Sequence, residues 1–175
     1  MRKPGERYNS DHIVPTTKWG KGSVMIWSCF WAGGFGPLVF CEGNVDQDAY
    51  VDILAKSFMP WFIQLCHDKD TDFILQEDGA TCHTGKYAMW WKDTHQIPRL
   101  DFWPPQSPDL NPIEHLWSCL EKLIEQKRSQ ITSIEQLKVS LEEVWGKISV
   151  DLAERLVDSM KDRCQAVIDA NGGYT

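Results

Sequence analysis

Between Ile97 and Trp117 the chain has little conformational freedom. Residues 98–112 hold five of its nine prolines. Each proline fixes its own φ and pushes the residue before it away from the helical region. The run Trp103-Pro-Pro-Gln-Ser-Pro-Asp-Leu-Asn-Pro-Ile-Glu-His-Leu-Trp117 therefore reads as a rigid loop joined directly to a helix start. Asn111 suits the N-cap, Pro112 the first helical position and Glu114 the third. Such a loop delivers the Glu114 carboxylate to a fixed place. A second acid, Asp78, closes an apolar run that begins at Asp72, thirty-six positions before Glu114.

The rest of the chain supplies a scaffold for these two acids. Its 175 residues fit one domain, and 42% hydrophobic residues with nine tryptophans make a core that a disordered chain lacks. Residues 22–41 carry no charge over a membrane-spanning length, but Gly33, Gly34, Gly36 and Pro37 interrupt them, so Ser23–Trp31 and Leu38–Cys41 read as a buried hairpin. The charged start Met-Arg-Lys-Pro-Gly-Glu-Arg lacks the apolar stretch of a secretion signal. Six scattered cysteines without a CxxC pair suit a reducing compartment.

Apolar spacing predicts a helix over 45–66, kinked or restarted at Pro60, then a short strand at Asp72–Gln76. A helix over 83–95 follows, with Tyr87, Trp90 and Trp91 on one side and the Trp90-Trp91 pair read as packing rather than base stacking, and then a strand at Arg99–Trp103. Helices are expected at 112–127, 133–148 and 150–170, with Ser133 and Gln136 as a capping box and Gly172-Gly173 closing the last. Alternating strands and helices imply an α/β sheet covered on both faces, whose ligands sit at the carboxyl ends of strands. Asp78 lies at such an end.

Acids from distant parts of a chain, converging at a sheet edge, are suited to hard cations such as Mg²⁺. Two such ions about 3.5–4 Å apart drive phosphodiester cleavage in many nucleases. The residues alone leave plainer readings open. Asp78 before Gly79 suits an Asx turn, and Glu114 stands where a capping-box glutamate reaches back to the Asn111 amide. Asp109 shapes its turn, His115 packs near the helix start, and Trp117 reads as core. His83 beside Cys82 has no second ligand pair with zinc spacing. A net charge of −7 argues against clamping nucleic acid by charge alone.

Two motifs go further. Leu75-Gln-Glu-Asp-Gly-Ala-Thr-Cys-His83 resembles the second-aspartate motif of mariner-type transposases, and Trp103 to Trp117 resembles their third-acid motif. Gly22 to Phe30 is similar to the family strand preceding them, and the resemblance runs from about Arg2 to the terminal Gly-Gly-Tyr-Thr. It implies a DDE-superfamily domain with a ribonuclease-H-like fold: a mixed sheet flanked by helices, with further C-terminal helices. It implies three acids holding two Mg²⁺ or Mn²⁺ ions, and cleavage and strand transfer of transposon DNA. Asp78 matches the second catalytic, metal-holding acid and Glu114 the third. His83 matches a motif histidine whose role is left unassigned beyond shaping the site.

Two departures follow. Position 79 is Gly where the family commonly has Asn. The family's first acid, its first strand and its helix-turn-helix domains fall before Met1, and Asp11 matches an ordinary residue. The expectations are a single catalytic domain over 1–175, inactive alone, with an unpaired sheet neighbour that invites association of copies. The partners implied are transposon ends and target DNA, with a nuclear location inferred from that substrate. No membrane and no small-molecule cofactor are expected. The competing reading is a non-catalytic interaction module derived from a transposase.

Overall fold

The computed structural model describes residues 16–19, 22–104 and 107–172. The readings of residues 1–15, of Pro105 and Gln106, and of Gly173 lie outside them. The hairpin forms from β2 (Gly22–Trp27) and β5 (Val39–Cys41), antiparallel, with Ile26 opposite Phe40. Its tip is a two-residue ladder of β3 (Phe30–Trp31) on β4 (Gly34–Phe35). The tip turns tightly because Gly36 admits no side chain: a Cβ there would meet Cys29 Sγ at 2.4 Å.

The other edge of β2 corrects an expectation. β1 (Thr16–Trp19) runs antiparallel along Gly22–Met25, so this neighbour is partly paired. Among the described residues, Ile26 and Trp27 pair only with β5. The strands expected at Asp72–Gln76 and Arg99–Trp103 shrink to one parallel bridge, Leu75 with Arg99, where the Leu75 amide donates to the Pro98 carbonyl at 2.7 Å. Both segments are short, and a single parallel pairing does not propagate without a further neighbour.

Helices cover both faces of β2, because successive side chains on a strand point to opposite sides. Val24 and Ile26 pack against α5 (Ile113–Gln126) and α6 (Ile134–Trp145), through Leu116, Leu120, Leu137 and Leu141. Trp27 faces α1 (Gln47–Ile53), α2 (Met59–Lys69) and the π turn 54–58 between them, through Tyr50, Leu54 and Phe58. That turn is how the chain accommodates Pro60. Proline has no amide to donate and its ring crowds the carbonyl four residues back, so the ladder widens there, with the Met59 amide bonded to Leu54.

Two more expected helices are split. Residues 83–95 become α3 (Thr81–Thr84) and α4 (Lys86–Thr94), broken at Gly85, where α1 comes so close that a Cβ would meet Gln47 Oε1 at 2.5 Å. Residues 150–170 become α7 (Val150–Asp158) and α8 (Met160–Asp169), divided at Ser159. Ser133 caps α6 as expected, accepting from the Gln136 amide at 3.2 Å. The Gln136 side chain bonds Thr132.

Candidate active site

Asp78 sits where the Leu75 segment gives way to α3. Its Oδ1 accepts the Ala80 amide at 3.2 Å, so the Asx turn is present. The same oxygen lies 3.0 Å from Nδ1 of His83, which also reaches the Asp78 carbonyl oxygen at 3.3 Å, and no described residue bonds Oδ2. Burial works to raise the Asp78 carboxyl, but the hydrogen bond and charge of His83, with the Ala80 amide, outweigh it and hold the group below its usual value. Burial in turn opposes a charge on His83, and bonds to Asp78 and the Cys82 thiol override it, raising the imidazole to about 9. His83 thus favours the carboxylate form of Asp78.

Glu114 stands in the first turn of α5. The helix starts one residue later than expected, with Pro112 at the cap and no side-chain cap bond. The Asn111 amide already donates to the Pro108 carbonyl at 3.1 Å, so Glu114 does not reach back to it. This removes the plain reading of Glu114 as a capping residue. Burial, then the charge of Asp78, then that of Glu121, push its carboxyl up to about 7. Burial is thus the main cause of the raised Glu114 carboxyl, with the charge of Asp78 adding to it. Among the described residues no three His, Cys, Asp or Glu side chains form a metal-sized group.

The loop before Glu114 is braced from two sides. Gln76 Nε2 donates to the Leu110 carbonyl at 3.3 Å, joining the Asp78 segment to the Glu114 segment. Arg163 of α8 donates to the Asp109 carbonyl at 2.7 Å. A cavity of about 350 Å³ opens beside Asp78, walled by Trp27, Trp31 and Phe73, with Asp78 and His83 at its polar part and Pro112 and Ile113 on its α5 side.

Sequence reasoning missed the cluster behind Asp78. Lys92 of α4 is fully buried, with its ammonium against Glu77 Oε1 and donating to the His83 carbonyl at 3.0 Å. Tyr50 of α1 donates to Glu77 Oε2 at 2.5 Å, and its ring lies 4.4 Å from that of His83. Burial lowers Lys92 to about 8, Arg99 adding to the fall and Asp93 opposing it. The available signal was helical spacing: Lys92 follows buried Ala88 by four positions, on the apolar face.

The expected packing pair is divided too. Trp91 is buried against His95, whereas Trp90 is 57% exposed and stacks on exposed Tyr87. Consecutive helix positions are about 100° apart, so one face does not hold both. Trp117 is core, stacked on Trp145 at 5.7 Å, and His115 is exposed.

Residues 2–138 match the family model described as DDE superfamily endonuclease. The chain is 39% identical over 176 residues to the transposase of transposable element Tc1 from Caenorhabditis elegans, covering 100% of this chain and 62% of that protein. It is 38% identical to the Tcb1 transposase of Caenorhabditis briggsae, covering 98% and 61%. The chain thus spans about three-fifths of the length of these curated relatives. Among solved structures, the catalytic domain of the Mos1 mariner transposase superposes with a TM-score of 0.83 at 18% identity, over 93% of this chain and 81% of that one. A Mos1 paired-end complex with Mn superposes with a TM-score of 0.74 at 19% identity, over 100% and 51%. The ribonuclease-H-like fold expected from the motifs is the fold of this chain.

Proposed function

This chain belongs to the DDE superfamily of endonucleases, and from that premise we propose that it is the catalytic domain of a transposase, acting on transposon ends and target DNA through Asp78 and Glu114. The observation that carries the assignment of residues is geometric: Asp78 lines the cavity that also reaches Pro112 and Ile113 at the start of α5, where Glu114 stands, and Gln76 ties the two segments together. Two carboxylates on segments tied together beside a cavity form a donor set that suits a hard divalent ion. Mg²⁺ accepts one or two protein carboxylates and completes its shell with water and substrate phosphate. Mos1 structures solved with Mn and with Mg support the choice of ion.

Bound ions supply an activated oxygen nucleophile and neutralise charge developing on the phosphate. The chain's own residues prepare their seat. His83 and the Ala80 amide fix Asp78 through Oδ1 and leave Oδ2 free. The proline-rich loop, tied by Gln76 and Arg163, fixes the start of α5 and so the placement of Glu114. Glu114 gives up its proton as a cation arrives. The described residues offer two such acids, Asp78 and Glu114. A nuclear site of action follows from the substrate.

The test is titration of the chain with Mn²⁺, followed by calorimetry or by the electron-spin signal of the free ion. Asp78→Asn and Glu114→Gln are each expected to weaken binding at least tenfold. Equal affinity in all three proteins would refute the assignment and favour the non-catalytic interaction module.

A further inference from the structure

Glu77 and Asp78 are adjacent carboxylates that end the same extended segment, yet they have opposite fates. Both oxygens of Glu77 are occupied, Oε1 by Lys92 and Oε2 by Tyr50. Asp78 uses only Oδ1 toward His83 and Ala80. Glu77 is 15% exposed and Lys92 0%, whereas Asp78 is 27% exposed. A buried carboxylate without a partner is costly, so an unpaired Glu77 would turn toward water or toward any cation nearby. We propose that Lys92 is a positioning residue that determines which of the two acids faces the metal: by taking up Glu77, it leaves Asp78 as the carboxylate presented to the ion.

The geometry gives Lys92 a second grip. Its ammonium also donates to the His83 carbonyl, so one side chain of α4 holds both the residue before Asp78 and the residue that orients it. The His83 and Thr84 amides both donate to the Ala80 carbonyl, at 3.0 and 2.9 Å, which closes the turn around Asp78. Loss of Lys92 therefore frees Glu77 and loosens that turn together.

The inference rests on the cation site proposed above, and the experiment separates the two. Three forms of the full chain are compared: wild type, Lys92→Met, and Lys92→Met with Glu77→Gln. The paired substitution removes both charges and keeps an acceptor for Tyr50. In Lys92→Met, amide exchange at His83 and Thr84 is expected to accelerate about a hundredfold, as for a broken buried ion pair. Exchange at Leu141, in the other core, stays unchanged. Mn²⁺ affinity falls at least tenfold in the single variant and recovers most of that loss in the paired one. Affinity unchanged in the folded fraction of Lys92→Met, or no recovery in the paired variant, overturns the proposal. If wild type shows no Asp78-dependent Mn²⁺ binding, the cation reading fails, and exchange alone decides on Lys92. Acceleration confined to the turn then supports its positioning role, and uniform or absent acceleration overturns it.

Discussion

At the scale of single residues, protonation governs this site. The Glu114 carboxyl, at about 7 against a usual 4.5, stabilises the fold fully below pH 4.5, and this contribution is lost as pH rises to 7. His83, at about 9 against 6.5, contributes fully below 6.5 and loses its contribution as pH rises through 9. Asp78, lowered from 3.8, contributes above that value and loses its share on acidification. The melting temperature of the cation-free chain should therefore decline from pH 5 to pH 9. Glu114→Gln should flatten the part of that decline below pH 7. Cations compete with the Glu114 proton, so Mn²⁺ affinity should rise between pH 6 and pH 8 in wild type and lose that rise in Glu114→Gln. The places of Asp78 and Glu114 in the fold were legible, because an acid closing an apolar run and an acid opening a proline-led helix are local patterns. Lys92 and Tyr50 were not, since their partner Glu77 lies fifteen and twenty-seven positions away.

At the scale of elements, close approach explains what periodicity did not. The break between α3 and α4 is invisible in apolar spacing, which continues through Gly85, but α1 lies against that point. Gly85→Ala should cost about 1–3 kcal/mol in unfolding free energy, an overpacking penalty, because Gln47 and the Thr81 carbonyl crowd the new methyl. Gly79→Ala meets nothing within 4 Å and should stay within about 0.5 kcal/mol of wild type, as for surface changes away from special features. Chemical denaturation of the two variants tests the contrast, and equal costs would remove the packing explanation for the break. The splitting of the long helix near Pro60 was foreseeable from the missing amide. The fading of the Leu75 and Arg99 strands was not, because apolar content and β-branching do not say whether a neighbour is present to complete the ladder. The capping role open to Glu114 failed for a similar reason: the Asn111 amide had already found Pro108.

At the scale of the whole molecule, β2 joins two clusters of the core, Val24 and Ile26 entering one and Trp27 the other. Leu141 is fully buried in the cluster formed with α5 and α6. Leu141→Ala should cost about 2–5 kcal/mol, read as a lower midpoint in chemical denaturation of the cation-free chain. The mixed α/β architecture was readable from the order of elements, and its ribonuclease-H-like character from two motifs that superposition on the Mos1 domain supports. The central claim is that Asp78 and Glu114 together form a cation site. It is tested most directly by titrating the purified chain and its Asp78→Asn and Glu114→Gln variants with Mn²⁺ and following the electron-spin signal of the free ion. The account predicts that each substitution weakens binding at least tenfold. Equal affinity in all three proteins would contradict it.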